Sequence, residues 1–188
     1  MVLLVSAVRE ELGEHPGEPL GVGPVVTAAR MSTILRERQP SGVVMVGTAG
    51  VYQGGPAVGT AVVAERVGLS EGVAAMGLGY VPRAPQPLTC DARLLERLVG
   101  PRVSVLTVSA ITTDSVLAGR LSDGWQIEQM EAYGAAVACA QANVPFAAVY
   151  GISNVVGPNA HTQWLAYRHE AQLNALAVVA PLLNGAGA

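Results

Sequence analysis

At 188 residues, 51% hydrophobic and 13% charged, the chain can bury a full core, which excludes intrinsic disorder and fits one domain better than two. A net charge of −3 and an aromatic content of 4% exclude phosphate-backbone binding and base-stacking platforms, so no nucleic-acid partner is expected. Two cysteines, Cys90 and Cys139, are too few for a disulfide scaffold, and the absence of lysine removes Schiff-base chemistry and the P-loop.

In chain order, Val2–Ser6 is a short apolar run of the kind a buried strand uses. Arg9, Glu10 and Glu11 follow too closely for a signal peptide, and no run reaches the roughly 18 apolar residues of a membrane span. A cytoplasmic protein with no membrane partner is expected. After the Pro/Gly-rich stretch 16–24, Pro24 suits the first turn of a helix whose one side would carry Val25, Ala28, Ala29, Ser32 and Leu35. A strand is predicted over Val43–Val46, stopped by Gly47-Thr-Ala-Gly50, and another over Val58–Val67. The glycines and prolines of 68–87 predict a long loop.

Asp91 caps a short predicted helix to Leu98, Val103–Val108 reads as a strand, and Ser115–Leu121 as a helical turn. An alanine-rich helix is predicted over Gln129–Asn143, then a strand over Pro145–Ile152, a loop over Ser153–Thr162 and an amphipathic helix over Gln163–Leu183. Strands separated by helices point to the α/β class, with function on the segments after strand C-termini: 7–13, 47–50, 108–114, 128–131 and 152–157.

Four of these segments carry candidate chemistry. Gly47-Thr-Ala-Gly50 would let backbone amides approach a ligand, or form an ordinary turn. Glu10 and Glu11 follow the first strand directly; a solvated face is the plain alternative. Glu131 leads an apolar helix, where the helix dipole alone favours an acid, but an ionised carboxylate also accepts from two adjacent hydroxyls of a diol. Asn154 ends an apolar strand and either shapes a turn or presents a donor and an acceptor to a heterocycle. His161 could line the same site, whereas His169, between Arg168 and Glu170, reads as a solvated residue. Trp164 reads as core or as a cover over a ligand. Cys90 and Cys139 read as small buried hydrophobes, and neither a metal nor a cofactor is expected.

The order of these pieces resembles the purine nucleoside phosphorylase and nucleosidase superfamily. The residues that carry the likeness are Ser6-Ala-Val-Arg-Glu-Glu11, Gly21-Val-Gly-Pro-Val25, Val46-Gly-Thr-Ala-Gly50, Gln129-Met-Glu131, Val144-Pro-Phe and Gly151-Ile-Ser-Asn154. The resemblance implies a three-layer α/β/α sandwich with a central mixed twisted sheet, a small-molecule purine nucleoside as ligand, and a homodimer or higher homo-oligomer. It also implies roles. Glu11 matches the glutamate that activates water in the methylthioadenosine/S-adenosylhomocysteine nucleosidases, Glu131 would bind the ribose hydroxyls, and Met130 would pack on the sugar. Amides of Thr48, Ala49 and Gly50 would line the floor of the site.

Asn154 stands where the adenosine-type nucleosidases have an aspartic acid that protonates purine N7. An amide can donate a hydrogen bond there but no proton, which suits a 6-oxopurine, with Ser153 orienting it. Glu11 combined with Asn154 is similar to the futalosine hydrolase branch, which releases hypoxanthine from futalosine in menaquinone biosynthesis. A methylthioadenosine-type nucleosidase, a phosphorylase and an inactive nucleoside-binding relative stay open. The stretch between Glu11 and Gly21 is shorter than the superfamily pattern, and the sequence shows no recognition element for the 5′ substituent.

Overall fold

The computed structural model describes residues 1–184. Strand β1 (Val2–Ser6) leads into a 3₁₀ turn (Arg9–Leu12), a two-residue strand β2 (Glu18–Pro19), helix α1 (Pro24–Arg38) and the long strand β3 (Gly42–Val51). Next come β4 (Ala61–Leu69), the one-turn helix α2 (Gly72–Ala75), β5 (Leu88–Thr89), α3 (Ala92–Leu95) and β6 (Arg102–Thr107). Helix α4 (Ser115–Leu121), β7 (Ile127–Gln129), α5 (Ala132–Gln141), β8 (Phe146–Val155) and α6 (Ala160–Asn184) complete the order.

All eight strands belong to one mixed sheet with helices packed around it, the α/β arrangement the sequence implied. β3 runs parallel to β1 and β8, while β4 is antiparallel to β8 and parallel to β6. β7 pairs parallel to β6 and antiparallel to the end of β3, so β3, β8, β4, β6 and β7 close into a ring. The lower half of β3, Val43–Val46, lies beside Phe146–Val149 with every residue buried. Such burial on both faces is why these runs read as continuous apolar stretches rather than alternating ones. Each fully buried Val or Leu contributes about 1.5–3 kcal/mol relative to an exposed one.

Several boundaries differ from the sequence expectation. Gly47-Thr-Ala-Gly50 does not stop β3; the strand continues through it, with an irregularity of register at Ala49/Gly50. Likewise Ser153 and Asn154 lie on β8 itself, and α6 begins at Ala160, so His161 is helical. Gln129 belongs to a strand, and α5 starts at Ala132. β4 begins at Ala61 because Gly59 takes a φ of +91° in the preceding turn, where its N–H donates to Ile152 O (2.8 Å). Within 68–87, β4 persists to Leu69 and α2 adds one turn.

The buried side of α1 is Thr27, Met31, Ile34 and Leu35; Val25 is 80% exposed, and Ala29 and Ser32 are exposed too. Isolated valines and alanines do not mark the core face when the larger Met31 and Ile34 lie elsewhere. Pro24 does open α1, and Asp91 caps α3 by accepting from Arg93 N (3.0 Å) and Leu94 N (3.2 Å). Cys90 and Cys139 are buried and free, and burial pushes both thiols up to about 12. Among the described residues no helix is long and apolar enough to cross a membrane, and no group of three or more His, Cys, Asp or Glu is placed to hold a metal.

Candidate functional site

β3 changes neighbours along one edge: Val43–Met45 pair with β1, and Gly50–Val51 pair with β7. Thr48 falls in the gap between the two partners, so its N–H has no strand to donate to. Glu11 fills that gap. Its Oε1 accepts from Thr48 N at 3.1 Å and from Thr48 Oγ1 at 3.4 Å, and its Oε2 accepts from Ala7 N at 3.2 Å. The 3₁₀ turn after β1 brings the carboxylate there, and Gly47 leaves room for it: a Cβ at that position would lie 3.1 Å from Glu11 Oε1. Burial pushes the Glu11 carboxyl up to about 7; the Thr48 amide opposes that shift and the nearby Glu131 charge adds to it.

Glu131 enters from the other side. Its Oε1 accepts from Gly23 N (2.9 Å) and its Oε2 from Met130 N (3.2 Å), which ties the α1 entry to the α5 entry. Glu131 stands at the N-cap of α5 but makes no side-chain capping bond to it. Gln129 takes that duty instead: its Oε1 accepts from the amides of Glu131 and Ala132, while its Nε2 donates to Thr107 Oγ1 (2.6 Å). With the cap supplied by Gln129, the Glu131 side chain is left to face Glu11 and the cavity. Burial raises its carboxyl above the ordinary value.

Asn154 stands beside Gly50 on the adjacent strand. A Cβ at Gly50 would lie 2.8 Å from Asn154 Nδ2, so this glycine makes the space the amide occupies. Ser153 Oγ lies 2.8 Å from Asn154 Oδ1 and 3.2 Å from Ala49 O, and Asn154 Nδ2 donates to Val155 O (3.3 Å). A hydroxyl donating to Oδ1 fixes the amide so that its second Nδ2 hydrogen remains to be donated.

These residues line one cavity of about 630 Å³, within the range of small-ligand sites. The eight residues expected to carry catalysis or substrate binding all lie on its wall: Glu11, Thr48, Ala49, Gly50, Met130, Glu131, Ser153 and Asn154. His161 and Trp164 line it as well, and Trp164 Nε1 donates to Thr48 Oγ1 at 3.2 Å. His169 is exposed on α6, as expected.

Sequence reasoning missed Glu128. This buried carboxylate accepts from Tyr52 OH (2.8 Å) and Thr112 N (3.0 Å), latching the 109–112 segment over the cavity wall. Burial raises its pKa too. The available signal was its place in the 128–131 segment, because an acid buried there needs polar partners.

The cavity joins the segments after β1, β6 and β7 to the C-terminal halves of β3 and β8. The half-buried Glu11 and the buried Glu128 and Glu131 share this wall with the polar Thr48, Gln129, Ser153 and Asn154 and with the Arg168 guanidinium. Around Glu11 and Glu131 the arrangement suits a polar part of a ligand that offers hydroxyl donors.

The chain is 31% identical, over an alignment 211 positions long, to a futalosine hydrolase of Thermus thermophilus, covering 94% of this chain and 92% of the relative. Among solved structures, a futalosine hydrolase of Helicobacter pylori superimposes with a TM-score of 0.85 at 14% identity, covering 97% of each chain. A 5′-methylthioadenosine/S-adenosylhomocysteine nucleosidase of Neisseria meningitidis, in complex with methylthio-immucillin-A, gives 0.81 at 19% identity, covering 96% of this chain and 97% of that one. The family model of the phosphorylase superfamily matches residues 12–184. With that match spanning nearly the whole chain, the protein belongs to the phosphorylase superfamily.

Proposed function

We propose that the protein hydrolyses the N-glycosidic bond of futalosine and releases hypoxanthine, a step of menaquinone biosynthesis. The observation that carries this reading is the Glu11 carboxylate, fixed by Ala7 and Thr48 amides and facing Glu131 and Asn154 across one cavity. Identity of 31% to a futalosine hydrolase over most of both chains supports the choice of substrate.

The chemistry follows from the groups present. Glu131 accepts from the ribose hydroxyls, and Met130 packs against the sugar. Glu11, with a pKa near 7, takes a proton from water as its oxygen bonds to the anomeric carbon. The bond from that carbon to N9 breaks with its electron pair going to the purine, through an oxocarbenium-like transition state. Asn154 Nδ2 donates a hydrogen bond to N7 or O6 and so stabilises the departing base without protonating it. The proton the free base finally carries comes from solvent. Amides of Thr48, Ala49 and Gly50 form the floor, and Ser153 holds Asn154 in register. A carboxylate at the attacking position repels phosphate, which favours water as the nucleophile over phosphorolysis.

The test is chromatography of base release from futalosine, inosine and methylthioadenosine, each with and without phosphate. The expected result is phosphate-independent hypoxanthine from futalosine. Adenine release would return the adenosine-type nucleosidase, a strict phosphate requirement the phosphorylase, and binding without release the inactive relative. As in the superfamily's nucleosidases, we take the working unit to be a homodimer or higher homo-oligomer in the cytoplasm.

A further inference from the structure

Charge is unevenly distributed on the cavity wall. Glu10, Glu11, Glu128 and Glu131 line it, and Arg168 is the one guanidinium that does. Its Cζ sits 4.6 Å from the Trp164 ring centroid, and Trp164 is itself held by its bond to Thr48 Oγ1 and by a stacked His161 at 5.8 Å. Among the described residues no ion pair engages Arg168. A guanidinium positioned by an aromatic face yet left without a carboxylate is preorganised to receive one.

Position along the cavity says which part of a ligand would meet it. Helix α6 starts on the Asn154 side, where Val155 N donates to Gln163 Oε1, and passes Glu11 at the Trp164–Thr48 bond. Arg168 lies one helical turn beyond Trp164 and one turn before Gln172, whose Nε2 bonds Glu10 O on the 3₁₀ turn. It therefore belongs to the Val8–Glu10 end. In a ribonucleoside C1′ and C4′ flank the ring oxygen, so the base and the 5′ substituent leave from opposite ends of the sugar. With the base at Asn154, the 5′ substituent points toward Arg168.

We propose that Arg168, braced on Trp164, is the specificity-determining subsite for an anionic, carboxylate-bearing 5′ substituent of the nucleoside. The inference rests on the hydrolase reading for the orientation of the ligand. A carboxylate at this end meets the Arg168 guanidinium beside the solvent-exposed Glu10 and gains a charge-assisted hydrogen bond, which is about twice as strong as a neutral one. A neutral 5′-hydroxyl gains little.

The experiment compares wild type with Arg168→Met and Arg168→Lys on two hypoxanthine nucleosides, futalosine as the carboxylated one and inosine as the neutral one. Arg168→Met is expected to raise KM for futalosine about tenfold or more, with kcat nearly kept, while inosine parameters move less than about twofold. Arg168→Lys should recover part of the loss. An unchanged futalosine KM, or an equal loss on both substrates, would overturn the subsite. If wild type releases base from neither nucleoside, the hydrolase reading fails instead. Calorimetric binding of intact futalosine to wild type and Arg168→Met then tests the subsite alone: weaker binding by the variant supports it, and equal binding overturns it.

Discussion

The two halves of the β3–β8 pair are built to opposite rules. In the lower half, Val43–Val46 beside Phe146–Val149, large apolar side chains fill both faces and no polar group is exposed to the cavity. In the upper half the same two strands carry Gly47, Thr48, Ala49 and Gly50 beside Gly151, Ser153 and Asn154. Here small residues clear space for side chains from elsewhere: Gly47 for Glu11, Gly50 for Asn154, and Gly151 for the backbone of α6, where a Cβ would meet Ala171 O at 1.8 Å. A single pair of strands thus supplies stability at one end and a polar cavity at the other. The glycines of the upper half serve two purposes, two of them shaping the site and one seating a helix.

That division can be broken most severely at Gly151. Gly151→Ala pushes a methyl into the α6 backbone, and the expected cost is about 3 kcal/mol or more, read as a lower denaturant midpoint. Glu11→Gln should do the reverse: turnover falls about 100-fold or more while the protein becomes more stable at neutral pH. The sign follows from linkage. Folding raises the Glu11 pKa from 4.5 to about 7, so the native state binds the proton more tightly between those values. The stability tied to this group is present below pH 4.5 and lost as pH rises through 7. Thermal melts of Glu11→Gln should therefore gain on wild type as pH increases across that window; a constant difference would contradict the burial of this carboxylate.

Gly50→Ala sharpens the comparison, because it perturbs the site and not the core. Its methyl would displace the Asn154 amide, and we expect about tenfold slower base release with a small change in melting temperature. The mildest effect is expected for Ser153→Ala, which removes the hydroxyl that orients Asn154: about three- to tenfold in turnover, with an unchanged KM for the sugar. A larger loss there than at Gly50 would reverse the assigned order of the two residues.

The sequence was most legible where one residue type does one thing. The apolar runs of β1, β3, β6 and β8 and the capping Asp91 lie where periodicity and propensity put them. All eight candidate site residues reach one cavity, because the C-terminal halves of β3 and β8 converge there with the segments after β1 and β7. Illegible were features set by tertiary pairing. Glycine propensity ended β3 too early, since pairing to β7 and β8 outweighs the local cost of Gly47 and Gly50. Two- and three-residue strands such as β2, β5 and β7 are too short to show a period. Gln129 looked helical because its side chain caps the helix that follows it. The Arg168–Trp164 pair joins residues of ordinary helical spacing, and only the cavity gives it meaning.

The most direct test of the account is the pH profile of kcat/KM for futalosine, without phosphate, for wild type and Glu11→Gln. If Glu11 is the base, wild-type activity rises with pH to a plateau through a midpoint near 7, and the variant is about 100-fold slower with that limb gone. A variant that keeps near-normal turnover and the same limb would contradict the central claim.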